Sequence, residues 1–190
     1  MRGRTIEAIL IALALLAPVA ARAGWQDQAT AFDQGRLARL DEARSRGLAE
    51  AGDNPALHEA LDAQPVSGGS LEGNWRCRTI KLGGMTPSMV YSWFRCRVSD
   101  RGGALVFEKL NGSQLMAGTL YPEAGGYIYL GASWVKGERP HRYSGNGASV
   151  GEAATPDDQI GMLTATANGA RLELPYPLQE STFDVIELRR

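Results

Sequence analysis

Histidine and cysteine are the scarcest reactive residues in this 190-residue sequence, with two of each. His58 and His141 stand alone, neither having a partner at metal-ligand spacing, and with Cys77 and Cys96 committed to each other a zinc site is excluded. A Gly-x-Ser-x-Gly elbow, a phosphate loop and a dinucleotide fingerprint are all missing. Gly145-Asn146-Gly147-Ala148-Ser149-Val150-Gly151 is rich in glycine but lacks the lysine and the strand-to-helix context that cradle phosphate. Glu180-Ser181 sets a hydroxyl beside a carboxylate; no base accompanies it, and polar residues after Pro175 and Pro177 are ordinary turn residues. The expectation is a chain that is not an enzyme and has no cofactor or metal.

Long apolar runs are missing too, once the first residues are set aside. Ala8 to Ala20 is the one sustained apolar stretch, and it falls short of the roughly 20 residues a membrane span needs. Arg2 and Arg4 precede it and Ala21-Arg22-Ala23 follows, the small-x-small pattern of a cleavable export signal. Residues 1–23 are therefore expected to be a signal peptide cut before Gly24, leaving a periplasmic or secreted product without a membrane span. Positive charge is not in excess either: 20 Lys and Arg stand against 21 Asp and Glu, and losing Arg2, Arg4, Arg22 and Glu7 leaves 17 against 20. Nucleic-acid affinity comes largely from clustered cations, so nucleic acid is excluded as the main partner.

What remains divides into a helical preface, 24–65, and a β domain, 66–190. Phe32, Leu37, Leu40 and Ala43 recur at helical spacing, with Arg36, Arg39, Glu42 and Arg46 mostly on the other side. Asn54 as N-cap and Pro55 at the first helical position open a further short helix through Leu57 and Leu61. Val66-Ser67-Gly68-Gly69-Ser70 reads as a linker. Beyond Gly73, short β runs alternate with turn residues, predicting eight strands: Gly73 to Leu82, Val90 to Val98, Ala104 to Leu110, Gln114 to Tyr121, Tyr127 to Trp134, Gln159 to Thr166, Ala170 to Leu174 and Phe183 to Leu188. The fold expected is mainly β, an eight-stranded antiparallel barrel or closed sandwich preceded by the helices. Asn111-Gly112 and Asn168-Gly169 are the stronger type I′ hairpin signals, Gly102-Gly103 and Gly125-Gly126 the weaker ones.

Both cysteines sit in an Arg-Cys-Arg tripeptide, and in an exported chain they are expected to form a disulfide. Placing Cys77 directly opposite Cys96 centres the turn on Gly83-Gly84-Met85-Thr86-Pro87, where turn residues already cluster. That register puts Trp75, Cys77, Thr79, Phe94, Cys96 and Val98 on one face. Arg76, Arg78, Arg95 and Arg97 fall on the other, Arg76 facing Arg97 and Arg78 facing Arg95. Four opposed cations need either an anionic ligand or neutralising acids, for which Glu72, Glu108, Glu187 and helix carboxylates are available. A second candidate site is the long connection from Val135 to Asp158, where Trp134, His141, Arg142 and Tyr143 bring aromatics and cations together as a ligand or partner surface.

Gly73-Asn74-Trp75 and the terminal Arg189-Arg190 resemble the Gly-x-Trp start and late arginine of calycin barrels, the lipocalin and avidin group; the resemblance implies a tryptophan closing one barrel end with an arginine packed across it. Longer blocks, Trp75 to Gly84, Tyr91 to Arg97, Phe107 to Gln114 and Leu174 to Ser181, are similar to an exported proteobacterial family, domain of unknown function 4893. That likeness brings no activity, ligand or partner with it. The function expected is an exported binding or interaction module for an unknown small ligand or exported protein, the alternative being an inhibitor of an exported protease or lysozyme-type hydrolase.

Overall fold

The structure is a computed structural model that describes residues 24–145 and 155–190. The expected signal peptide, residues 1–23, lies outside the described residues. Four short helices come first: α1 (Trp25–Gln28), α2 (Ala31–Ala38), α3 (Leu40–Ala51) and α4 (Pro55–Leu61). Nine strands follow: β1 (Gly73–Leu82), β2 (Ser88–Val90), β3 (Phe94–Arg101), β4 (Ala104–Lys109), β5 (Gln114–Glu123), β6 (Gly126–Val135), β7 (Asp158–Thr166), β8 (Gly169–Pro175) and β9 (Phe183–Arg189).

Local chemistry explains where the helices begin and end. Thr30 caps α2 by accepting from the Asp33 amide at 3.0 Å, and Asn54 caps α4 by accepting from Ala56 at 3.1 Å, with Pro55 behind it in the first turn. Each cap satisfies an amide that the first turn leaves unpaired. Gly52, at φ 68°, supplies the left-handed residue that stops α3.

Strands β1 and β3 to β9 pair antiparallel in chain order, and β9 returns to pair with β1, closing an eight-stranded barrel. The ninth strand, β2, pairs with Ile80 to Leu82 of β1 while β3 pairs with Gly73 to Cys77. The single run expected over Val90 to Val98 is thus interrupted at Tyr91-Ser92-Trp93. Strand β3 lies one residue out of step with β2, and the break leaves the half-buried Trp93 ring facing Arg76, Arg78 and Arg189, 5.1, 4.7 and 5.8 Å from its centroid.

The register across β1 and β3 differs from the expected one. Trp75 faces Cys96, Cys77 faces Phe94 and Arg76 faces Arg95. The slip is two residues, so every side chain keeps its face: Trp75, Cys77, Cys96 and Val98 are buried inside the barrel, and the arginines point outward.

Alternation fills the interior with Phe107, Tyr129, Leu163, Leu172, Ile186 and Leu188, and the Phe107 and Tyr129 rings meet edge to face at 6.0 Å. Gly118 and Gly131 make room for Tyr129; a Cβ at Gly131 would sit 2.2 Å from the tyrosine oxygen. At the Gly73 end Trp75 donates to the Leu71 carbonyl, and the Arg190 guanidinium lies 4.6 Å over the Trp75 ring. That closure has the form the calycin likeness implies.

Outside the barrel, α3 and α4 cover β1 and β9. Ala43, Ala51, Leu57 and Ala60 pack against Ile80, Leu82, Phe183 and Val185. Each fully buried leucine or phenylalanine there contributes about 1.5–3 kcal/mol. Helices α1 and α2 lie over Ile128, Leu130 and Ile160 of β6 and β7. Arg36, expected on the outer side of its helix, is buried instead: its guanidinium bonds Asp33 at 2.6 Å and the carbonyls of Tyr176 and Asp158 at 3.1 and 2.9 Å. Helix α2 thus docks through an ion pair rather than through its apolar stripe alone.

Candidate functional site

The Leu82 end of the barrel stays polar. Alternation carries Thr79 and Lys81 inward from β1, Lys109 from β4, Ser133 from β6, Gln159 from β7 and Asp184 from β9. They line a cavity of about 50 Å³, rimmed by the exposed residues Pro156, Leu178 and Gln179. That volume holds one or two water-sized groups, at about 30 Å³ each. Deeper in, the aromatic core occupies the space where a larger ligand would sit.

The charges at this mouth are unevenly matched. Lys81 bonds Glu180 Oε2 at 2.5 Å and faces Asp184 across the β1–β9 pair. Burial works against its charge, but Glu180 and Asp184 outweigh it and hold its pKa above the ordinary lysine value. Asp184 accepts the Ser181 hydroxyl at 2.6 Å, and burial pushes its pKa up to about 6. Lys109 is different. It is 7% exposed, donates to the Gln114 carbonyl at 2.5 Å and lies 4.2 Å over the Phe94 ring. Among the described residues no carboxylate reaches it within ion-pair distance. Burial, with repulsion from Lys81, lowers its pKa to about 8. Nearby, Gln159 Oε1 and the Tyr129 hydroxyl are buried with no hydrogen-bond partner among the described residues.

Two of the four clustered arginines meet the neutralising carboxylates that were the alternative to an anionic ligand. Of the four arginines, Arg78 pairs with Glu187 at 2.6 Å and Glu59 at 3.3 Å, and Arg97 pairs with Glu108 at 2.9 Å. Arg76 stacks on Trp93, and exposed Arg95 faces it across the strands. The facings Arg76 to Arg97 and Arg78 to Arg95 do not occur, because the pair register is two residues away from the one that would produce them. In the long connection, His141 Nδ1 lies 3.0 Å from Asp157, while the Tyr143 hydroxyl donates to Asp33 at 2.5 Å and accepts from the Thr30 amide. Tyr143 thereby anchors the loop to α2, whereas Trp134 belongs to β6 and Arg142 is exposed. No hydrogen bond or ion pair joins these four to one another among the described residues; residues 146–154 of this connection lie outside them.

Lys81, Lys109, Asp184 and Gln159 belong to no sequence motif. Their signal is parity: Lys81 follows Trp75, Cys77 and Thr79 on the inward face of β1, and Lys109 follows Phe107 on β4. A cation at an inward position, rather than a motif, marks the site.

The profile of one protein family, Domain of unknown function (DUF4893), matches residues 25–188. The chain belongs to this family. The DUF4893 match spans helices and barrel together, and the mouth residues all lie within it. Searches of curated proteins and of solved structures return no match to the chain. The comparisons identify no catalytic family. Among the described residues no group of His, Cys, Asp and Glu gathers as a metal site, and no helix is long and apolar enough to cross a membrane.

Proposed function

We propose that the chain is an exported binding module, periplasmic or secreted, that takes a ligand at the polar mouth of its barrel. The observation that carries this reading is the Lys109 ammonium: nearly inaccessible, without a carboxylate partner among the described residues, and set at an opening instead of in the closed interior. An uncompensated buried charge costs several kcal/mol, which a fold without use for it sheds by substitution. A bound group that supplies the missing acceptors gives the residue a reason to be there. The disulfide and the expected signal support export. The inhibitor alternative rests on fold-level likeness to small exported barrels that block hydrolases through loops; the loop it would use is the Val135 to Asp158 connection, and the anchoring of Tyr143 and Ser144 there leaves the mouth the stronger site.

Native mass spectrometry of protein released by osmotic shock tests both halves. The expected chain begins at Gly24 and carries a non-covalent adduct that Lys109→Met protein lacks. A chain retained in the cytoplasm overturns the export half, and an adduct unchanged by Lys109→Met overturns the mouth.

A further inference from the structure

We propose that the group bound at the mouth is a monocarboxylate, one oxygen on the Lys109 ammonium and the other among the Thr79 hydroxyl and the Gln159 amide. This rests on the mouth being the ligand site and adds the chemical class of the ligand.

Charge decides the valence. Glu180 pairs with Lys81 and Asp184 faces Lys81 as well, so both carboxylates of the mouth are directed at that lysine, and among the described residues Lys109 has none within ion-pair distance. A single negative charge balances it, whereas phosphate or sulfate in its doubly charged form would meet Glu180 and Asp184 at close quarters. Size points the same way: a space of about 50 Å³ admits a carboxylate head, with the rest of the molecule passing out between Leu178, Gln179 and Pro156. Hydrogen bonding completes the argument. Lys109 has three N–H donors and shows one protein acceptor, the Gln114 carbonyl. A carboxylate takes the others in charge-assisted bonds, roughly twice as strong as neutral ones. Gln159 Oε1, which has no partner among the described residues, then stands ready for a donor on the same ligand. A free small acid and the terminal carboxylate of a peptide, whose last amide N–H is such a donor, share this chemistry.

The test is titration of the folded, oxidised chain with acetate, acetamide, sulfate, and one short peptide bearing either a free or an amidated C-terminus, followed by amide chemical shifts and by the Lys109 side-chain resonance. Acetate is expected to shift Thr79, Lys109 and Gln159 and to raise the Lys109 titration midpoint from about 8. It should bind at least tenfold tighter than acetamide or sulfate, and lose at least tenfold in Lys109→Met. A peptide that binds tighter than acetate only when its terminus is free names the peptide source; equal binding of both peptides with acetate still preferred names a free acid. Acetamide binding the same residues as tightly as acetate overturns the carboxylate and leaves the mouth. No shift at these residues with any probe overturns both. Should Lys109→Met not fold, the wild-type Lys109 midpoint decides alone: a midpoint unmoved by saturating acetate refutes the proposal.

Discussion

Cys77 and Cys96 are joined along a diagonal of the β1–β3 pair, Cys77 lying opposite Phe94 and Cys96 opposite Trp75, with 5.8 Å between their Cα atoms. That separation is within ordinary disulfide reach, because strand twist draws one diagonal of a pair together. The bond closes a loop with a sequence separation of 19, for which loop-closure entropy gives about 3 kcal/mol. Reductant is expected to lower the free energy of unfolding, measured by urea titration, by that amount and so to lower the urea midpoint, and Cys77→Ser with Cys96→Ser to reproduce the loss without reductant. Equal midpoints with and without reductant would show that the bond contributes nothing.

Helix α3 approaches β1 and β9 most closely at Gly47, where an added Cβ would lie 2.8 Å from the Phe183 Cβ and 3.3 Å from that of Leu82. Both neighbours are fixed to strand backbone. Gly47→Ala is therefore expected to lose about 1–3 kcal/mol through overpacking, despite alanine's better helix propensity. Gly35 on α2 has nothing within 4 Å of its added Cβ, and Gly35→Ala should gain about 0.4–1 kcal/mol. Thermal melts of the two variants should move in opposite directions.

Side-chain alternation was the most readable part of the fold. It put Trp75, Cys77, Phe94, Cys96 and Val98 on the inner face, and it survives the register change because a two-residue slip preserves parity. Turn chemistry was readable in kind but not in place. Gly102 and Gly103, with φ 66° and 82°, form the two-residue turn closing Arg101 on Ala104. At Asn111-Gly112, the stronger signal, Asn111 instead accepts the Arg95 amide at 2.6 Å within a four-residue loop. At Asn168-Gly169 the turn centres one residue earlier, on Ala167 and Asn168, because Gly169 pairs with Thr166. The mouth was hidden for a different reason. Lys81 and Lys109 are 28 positions apart in sequence and Asp184 farther still, and only barrel closure through β1 and β9 gathers them.

The Arg36–Asp33 pair joins α2 to two loops at once, through the carbonyls of Tyr176 and Asp158 and through the Tyr143 hydroxyl on Asp33. Both side chains are almost fully inaccessible. Removing one charge strands the other, so Arg36→Met should cost about 3–5 kcal/mol in chemical denaturation. Adding Asp33→Asn should recover part of the loss by removing the stranded carboxylate. A double variant as unstable as Arg36→Met alone would place the cost in the lost carbonyl contacts instead.

The mouth also makes stability depend on pH, with opposite slopes from its two perturbed groups. Asp184 titrates near 6 when folded against about 3.9 when unfolded, so between these values the folded chain holds the extra proton. Stability then falls as pH rises through that window, by about 3 kcal/mol at 1.36 kcal/mol per pKa unit. Lys109 titrates near 8 when folded against about 10.4 when unfolded, so there the unfolded chain holds the extra proton and stability rises with pH. Facing them are Lys81, Glu180 and the Ser181 hydroxyl. Between pH 6 and 8 both groups are charged, and the mouth contributes least to stability. Melting temperature measured against pH should fall on the acid side and recover on the alkaline side. Asp184→Asn should flatten the first slope alone and Lys109→Met the second alone; a Lys109→Met profile that still climbs above pH 8 would assign that recovery to another group.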